Sequence, residues 1–169
     1  FATGIAPPPM GSAHRLAAPY QAFRTADGYL TVGAANQANW EKLCAVLNRA
    51  DLLADPRFRD NPSRTSHAVE LAAELEKGFG TRPTAKRLAQ LDAAGMPAGP
   101  INDMAAVYAD PQAQARAMMV ELEHPTVGRV KNIGLPVKLS ETPAAIRRAA
   151  PTLGQHTDEI LNELGLTPD

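Results

Sequence analysis

Apolar and polar positions change period along this chain, and the changes mark its elements. Tyr20-Gln21-Ala22-Phe23-Arg24-Thr25 alternates large apolar with polar residues, the two-residue period of a strand with one buried face. Ala26-Asp27-Gly28 supplies turn chemistry, and Tyr29-Leu30-Thr31-Val32-Gly33-Ala34 returns as a second strand, so the pair reads as a hairpin. After Asn36, a candidate N-cap, Trp40, Leu43, Cys44 and Leu47 recur at i, i+3, i+4 and i+7, the stripe of an amphipathic helix. Residues 54–58 turn, with Phe58 tucked back into the core. One further helix is predicted from about 62 or 63 to 77, with Ala68, Leu71, Ala72, Leu75 and then Phe79 on its stripe and Gly78 and Gly80 ending it. Another begins near Thr81 with Pro83 in its first turn, turns Leu88 and Leu91 inward and closes at Gly95.

The second half is more broken. Gly95-Met96-Pro97-Ala98-Gly99-Pro100-Ile101-Asn102 is too rich in glycine and proline for regular helix and reads as a defined loop. Short helical pieces cover 103–108 and 110–116. Residues 118–123 alternate as a strand, 124–128 turn, and 129–132 extend the pairing. Residues 136–140 are extended and 142–151 connect. The last helix covers roughly 154–164, with Leu153, His156, Ile160 and Leu164 on one side and Gly165 after it. Near the start, Pro7-Pro8-Pro9 favours polyproline geometry, and Gly11-Ser12-Ala13 bends the chain before His14.

Composition narrows the class. The 169 residues suit one domain, or one domain with an extension, and suffice for a core without staples. Apolar residues make up 44%, yet 31 are alanine and aromatics are only 5%, so large side chains are few. Fifteen prolines and 12 glycines break the chain into short elements, which argues against a coiled coil. A net charge of −1 argues against a nucleic-acid or anionic-membrane partner, and no stretch approaches the roughly 18 apolar residues of a membrane span. The start lacks the basic and apolar regions of a signal peptide and has no Met, which points to trimming or to a cut inside a longer chain. The lone Cys44 fits a reducing cytosol.

Candidate chemistry is sparse. No glycine-rich nucleotide motif or nucleophile elbow occurs, and His14, His67, His124 and His156 lie apart without metal-ligand spacing. Cys44 reads as a small buried hydrophobe. Glu70 and Glu74 share a solvated helix face, and Glu121 with Glu123 an exposed strand face. Arg57, Arg59 and Arg64 form a loose basic group, read as solubility or as a docking surface for phosphate or a neighbouring subunit. Gly11-Ser12-Ala13-His14 is either a mobile linker or a loop closing over a ligand, offering backbone N–H groups to an anion. The 95–102 loop reads as a structural turn between helix and sheet. These residues alone describe a mixed α and β domain without a self-contained active site.

The order of motifs adds a resemblance. Ala18-Pro19-Tyr20-Gln21 with Thr25-Ala26-Asp27-Gly28-Tyr29, then Asn39-Trp40, Leu43-Cys44, Asp55-Pro56-Arg57-Phe58 with Asn61 and Arg64, resembles the small domain of class III CoA-transferases, the CaiB/BaiF family that includes formyl-CoA and carnitine CoA-transferases. Gly95 to Asn102, Asp110-Pro111-Gln112, Ala115-Arg116-Ala117-Met118, His124-Pro125, Gly128, Gly134, Pro136, Leu139-Ser140 and Thr142-Pro143 continue it in order, and the closing run from Ala150 to Leu161 completes it.

The resemblance implies an α+β fold: a small domain with a short antiparallel sheet and several helices, then a C-terminal segment returning to a Rossmann-like large domain missing from this chain. It implies a linker and substrate-loop region over 1–18, a small domain over 19–110 and a returning segment over 111–169 ending in the 154–164 helix. Family members move CoA from an acyl-CoA to a carboxylate through an aspartate nucleophile, which lies in the N-terminal half of family chains. The implied role is the C-terminal part of such a transferase, supplying a substrate-side lid and dimer contacts, with no catalytic residue of its own, so that the chain alone is expected to be inactive. Gly11, Ser12, Ala13 and His14 stand at the family's substrate loop. The implied partners are the N-terminal half of the same protein, a second copy in an interlocked homodimer, an acyl-CoA and a carboxylate acceptor, with CoA thioester as substrate, no tightly bound cofactor, no metal, and a cytoplasmic setting. An α-methylacyl-CoA racemase of the same architecture, running proton transfer beside a thioester, and a non-catalytic binding or scaffold module are the alternatives.

Overall fold

The structure, a computed structural model, describes residues 4–6 and 8–166. The polyproline reading of Pro7-Pro8-Pro9 falls partly on Pro7, and the chain start on Phe1, both outside the described residues. The chain is α+β, with short antiparallel sheets and several helices, in two compact units, Phe1–Ile101 and Asn102–Asp169.

The first unit begins its sheet with β1 (Tyr20–Arg24) and β2 (Tyr29–Gly33), paired antiparallel with Phe23 opposite Leu30. Alternation turns Phe23, Leu30 and Val32 inward, where they are buried. Helix α1 (Gln37–Leu47) starts where Asn36 Oδ1 accepts the Asn39 N–H at 2.8 Å, and Asn48 ends it in the left-handed region at φ 56°. Its buried residues are the expected stripe, Trp40, Leu43, Cys44 and Leu47. A short helix α2 (Asp51–Ala54) and a 3-10 turn (Pro56–Phe58) follow, and Phe58 is buried edge-on to Trp40, ring centres 6.5 Å apart.

The single helix expected to end near residue 77 is two. Helix α3 (Asn61–Ser66) stops at His67, and α4 (Ala68–Phe79) starts after it. Thr65 and Ser66 hydroxyls donate to the carbonyls of Asn61 and Pro62, and the His67 ring meets the Ser63 carbonyl at 2.9 Å. Side chains competing for carbonyls four residues back distort the helix there. Gly78 lies inside α4 rather than ending it, on the face that packs against Leu47 of α1. Phe79 stacks on Phe23 at 5.0 Å, tying α4 to the sheet.

Helix α5 (Thr84–Ala93) begins later than expected, with Pro83 before its first turn rather than in it. Its leading amide is taken by the hairpin turn: Asp27 Oδ1 accepts the Thr84 N–H at 2.7 Å and the Thr84 hydroxyl at 2.8 Å. Leu91 is buried, Leu88 half-buried, and Gly95 leaves the helix at φ 64°. The 95–102 stretch is not wholly loop. Its Ala98–Pro100 forms β3, paired antiparallel to β2 with Gly99 opposite Thr31, so the sheet order is β1-β2-β3.

In the second unit, Asp103 caps α6 (Met104–Ala109) and Asp110 caps α7 (Pro111–Ala115) through side-chain oxygens. Strands β4 (Met119–His124) and β5 (Gly128–Ile133) form a two-stranded hairpin with Glu121 opposite Lys131. Residues 136–140 join no strand. The last helix, α8, is Thr157–Glu163, shorter than the expected 154–164, because residues 153–156 form a turn and His156 Nδ1 engages Glu159 at 2.9 Å. Among the described residues every buried apolar side chain belongs to the first unit, and Leu153, Ile160 and Leu164 are exposed.

Candidate substrate-side concavity

Two segments singled out in the sequence meet on the outer face of the three-stranded sheet. Residues 10–13 make a turn, with Gly11 at φ 61° and the Ala13 N–H bonded to the Met10 carbonyl at 3.2 Å. The chain then lies on the free edge of β1. The His14 N–H donates to the Tyr20 carbonyl at 3.0 Å, and Ser12 Oγ accepts the Ala22 N–H at 3.1 Å. These bonds satisfy strand groups that would otherwise face outward unpaired. The His14 ring stands edge-on to Tyr20, centres 5.4 Å apart at 74°.

On the other side, the Gly33 N–H donates to the Pro97 carbonyl at 3.0 Å, and the Thr31 hydroxyl to the Gly99 carbonyl at 3.3 Å. Gly33 also seats Tyr20: a Cβ there would lie 2.8 Å from the Tyr20 ring. Ser12, Tyr20 and Thr31 with Pro97 and Gly99 thereby border one concavity of about 420 Å³. Of Gly11, Ser12, Ala13 and His14, Ser12 lines it, His14 touches its wall through Tyr20, and Gly11 and Ala13 shape the turn. Three hydroxyl-bearing residues line it, Ser12, Tyr20 and Thr31, and among the described residues no carboxylate, thiol or cationic side chain does. It can hold and orient an oxygen-rich ligand by hydrogen bonds, and among its described lining residues no carboxylate or thiol nucleophile stands ready and no base stands beside a hydroxyl to activate it.

The other candidate groups are structural. Arg64 is buried, donating to the carbonyls of Ala18, Phe58 and Ala35, so it does not belong to a surface basic group. Arg57 pairs with Asp55 at 2.7 Å and Arg59 with Asp60 at 3.1 Å. Glu74 accepts from Arg49 and Lys77, and Arg129 lies beside Glu121 and Glu123. Cys44 is buried and burial pushes its thiol up to about 12, which removes thiolate chemistry at neutral pH. Among the described residues no group of three His, Cys, Asp or Glu side chains could hold a metal ion, and no helix is long and apolar enough to cross a membrane.

Sequence reading missed Tyr20, Thr31 and Gly99 as wall residues. The available signal was the register: Tyr20 and Thr31 are on the outward side of the alternation, and Tyr20 faces a glycine across the hairpin.

The family model for CoA-transferase family III matches residues 1–157. The chain is 41% identical over 165 residues to an acyl-CoA transferase of Fusarium pseudograminearum, covering 96% of this chain and 36% of that protein. It is 38% identical over 154 residues to the human succinyl-CoA:glutarate CoA-transferase, covering 91% and 35%. A crystal structure of a CAIB/BAIF family protein from Brucella suis matches with TM-score 0.78 at 34% identity, over 96% of this chain and 42% of that one. The chain thus spans about a third of the length of the curated relatives it matches. Motif order, fold and likeness over nearly the whole sequence agree, and the chain belongs to CoA-transferase family III.

Proposed function

We propose that this chain is the C-terminal part of an acyl-CoA:carboxylate CoA-transferase. It supplies a substrate-side wall and dimer contacts, and the nucleophilic aspartate comes from an N-terminal half. The supporting observation is the concavity itself, lined by hydroxyl-bearing residues and by no carboxylate among the described residues, in a chain of this family that spans about a third of its relatives' length.

In this reading residues 1–18 are the substrate-loop region, 19–110 the small domain and 111–169 a segment returning to a Rossmann-like large domain. The exposed Leu153, Ile160 and Leu164 favour that return, since apolar side chains left open gain by burial against a partner. The enzyme works as a homodimer in the cytoplasm, with CoA thioester as substrate and no tightly bound cofactor. The human relative's name pairs succinyl-CoA with glutarate, and by that likeness the acceptor here is a short dicarboxylate.

The test is reconstitution. The 169-residue chain alone is expected to turn over no CoA thioester, and co-expression with an N-terminal half to restore CoA transfer to glutarate. Turnover by the isolated chain would overturn the reading. Exchange of the α-proton into deuterated water without CoA transfer would select the racemase, and inactivity in both assays the scaffold.

A further inference from the structure

The two compact units differ in how they are held together. In the first, one contiguous cluster joins the sheet to the helices, and Phe23, Trp40, Leu43, Phe58, Leu75 and Phe79 are shut off from solvent within it. In the second, Gly134 is the only buried residue among those described, and it brings no side chain. Val120, Leu122 and Val130 of the β4–β5 hairpin are half-buried, and Met104, Ile133, Val137, Ile160 and Leu164 stand exposed.

The second unit's elements are encoded locally. Asp103 and Asp110 cap their helices, and β4 and β5 pair across a short turn. Local chemistry starts such elements but does not hold them. Helices α6, α7 and α8 have six, five and seven residues. An isolated helix is marginal in water below roughly 12–15 residues, and a two-stranded hairpin is marginal without a third strand or a packed face. Ordering each residue costs conformational entropy, which burial of apolar surface must offset. The first unit offsets that cost with its own core. The second leaves exposed the side chains that would do so.

The relatives indicate the absent cover. This chain spans 36% and 35% of the two curated relatives above, so those proteins carry a further stretch longer than the part matched here. We propose that residues 102–166 order fully only against the N-terminal half of the same protein: alone they open ahead of the first unit, and the N-terminal half closes them. This rests on the transferase reading above and deepens it, because the returning segment is then no preformed arm but completes its folding as it docks.

The test is amide hydrogen exchange, read by NMR, on the 169-residue chain alone and in complex with a co-expressed N-terminal half. In the chain alone, amides of β4, β5 and α8 are expected to exchange about 100-fold faster, or more, than those of β1, β2 and α4. In the complex that gap is expected to narrow to within about tenfold. Equal exchange of the two units in the chain alone would overturn the proposal, and so would a gap that persists in a complex able to transfer CoA to glutarate; both leave the transferase reading standing. Slowing of β4, β5 and α8 in the chain alone that grows with protein concentration would name a second copy as the cover and overturn the proposal too. A complex that narrows the gap but transfers no CoA would uphold the ordering step and overturn the transferase reading. Two halves that form no complex would overturn both.

Discussion

The Arg64 guanidinium lies 5.1 Å over the Trp40 ring, fully buried, while its nitrogens reach three backbone carbonyls: Ala18 at 2.8 Å, Ala35 at 2.7 Å and Phe58 at 3.1 Å. One planar fork thus ties the approach to β1, the approach to α1 and the 3-10 turn. Burial lowers its pKa from the ordinary arginine value, and the cation is kept by these carbonyls and the indole face. Lysine, a single ammonium on a flexible stem, cannot serve all three acceptors. Arg64→Lys is therefore expected to destabilise the protein by about 3 kcal/mol, by leaving buried carbonyls unpaired. Urea unfolding followed by tryptophan fluorescence reads this directly; a change under about 0.5 kcal/mol would contradict it.

Acid should loosen the ties made by two carboxylates. Asp27 is held below the ordinary aspartate pKa of 3.8, mainly by the Thr84 N–H and then the Thr84 hydroxyl. Asp60, which caps α3, is lowered to about 2, chiefly by the Ser63 N–H. A carboxyl whose folded pKa lies below its unfolded value stabilises the fold above about pH 4, and that contribution fades as pH falls through the folded value. Stability is expected to drop between about pH 4 and pH 2, and less steeply in Asp27→Asn, whose side chain does not titrate. An identical acid profile for the two proteins would refute the role given to Asp27.

Cys44 should report on unfolding. Its thiol is buried on the α1 stripe and pushed up to about 12, so the thiolate is scarce at pH 8 and the reagent is excluded. Iodoacetamide is expected to leave the folded chain unlabelled and to label it fully in urea, as read by mass spectrometry. Rapid labelling without urea would show that the α1 stripe is open.

Two glycines should differ sharply. A Cβ at Gly134 would collide with the Ala117 carbonyl oxygen, a backbone atom that cannot swing away. Gly134→Ala is expected to cost about 2 kcal/mol locally and to speed hydrogen exchange across β4 and β5. At Gly33 the obstacle is the half-exposed Tyr20 ring, which can move. Gly33→Ala is expected to keep the fold and displace Tyr20 from His14, seen as shifted ring resonances.

Much of the first unit is legible from local pattern. The β1–β2 hairpin, the Asn36 cap and the Trp40, Leu43, Cys44 and Leu47 stripe follow from residue period and capping chemistry within one element. The break at His67 was harder to see, because it depends on Thr65, Ser66 and His67 all bonding back to carbonyls rather than on any helix-breaking residue. The 98–100 strand was hidden for another reason. Three residues with glycine and proline become strand only because β2 offers them an edge.

The candidate site divides the same way. The sequence by itself determined the family motifs, the hairpin and the two glycine-containing segments at 11–14 and 95–102, because turns, caps and amphipathic periods are local properties. Only the tertiary structure decided that those segments border one concavity and that Arg64 is a core strut rather than part of a basic surface. Each of these depends on backbone groups brought together by the pairing of strands and helices, and a backbone donor or acceptor carries no signature in the identity of its residue.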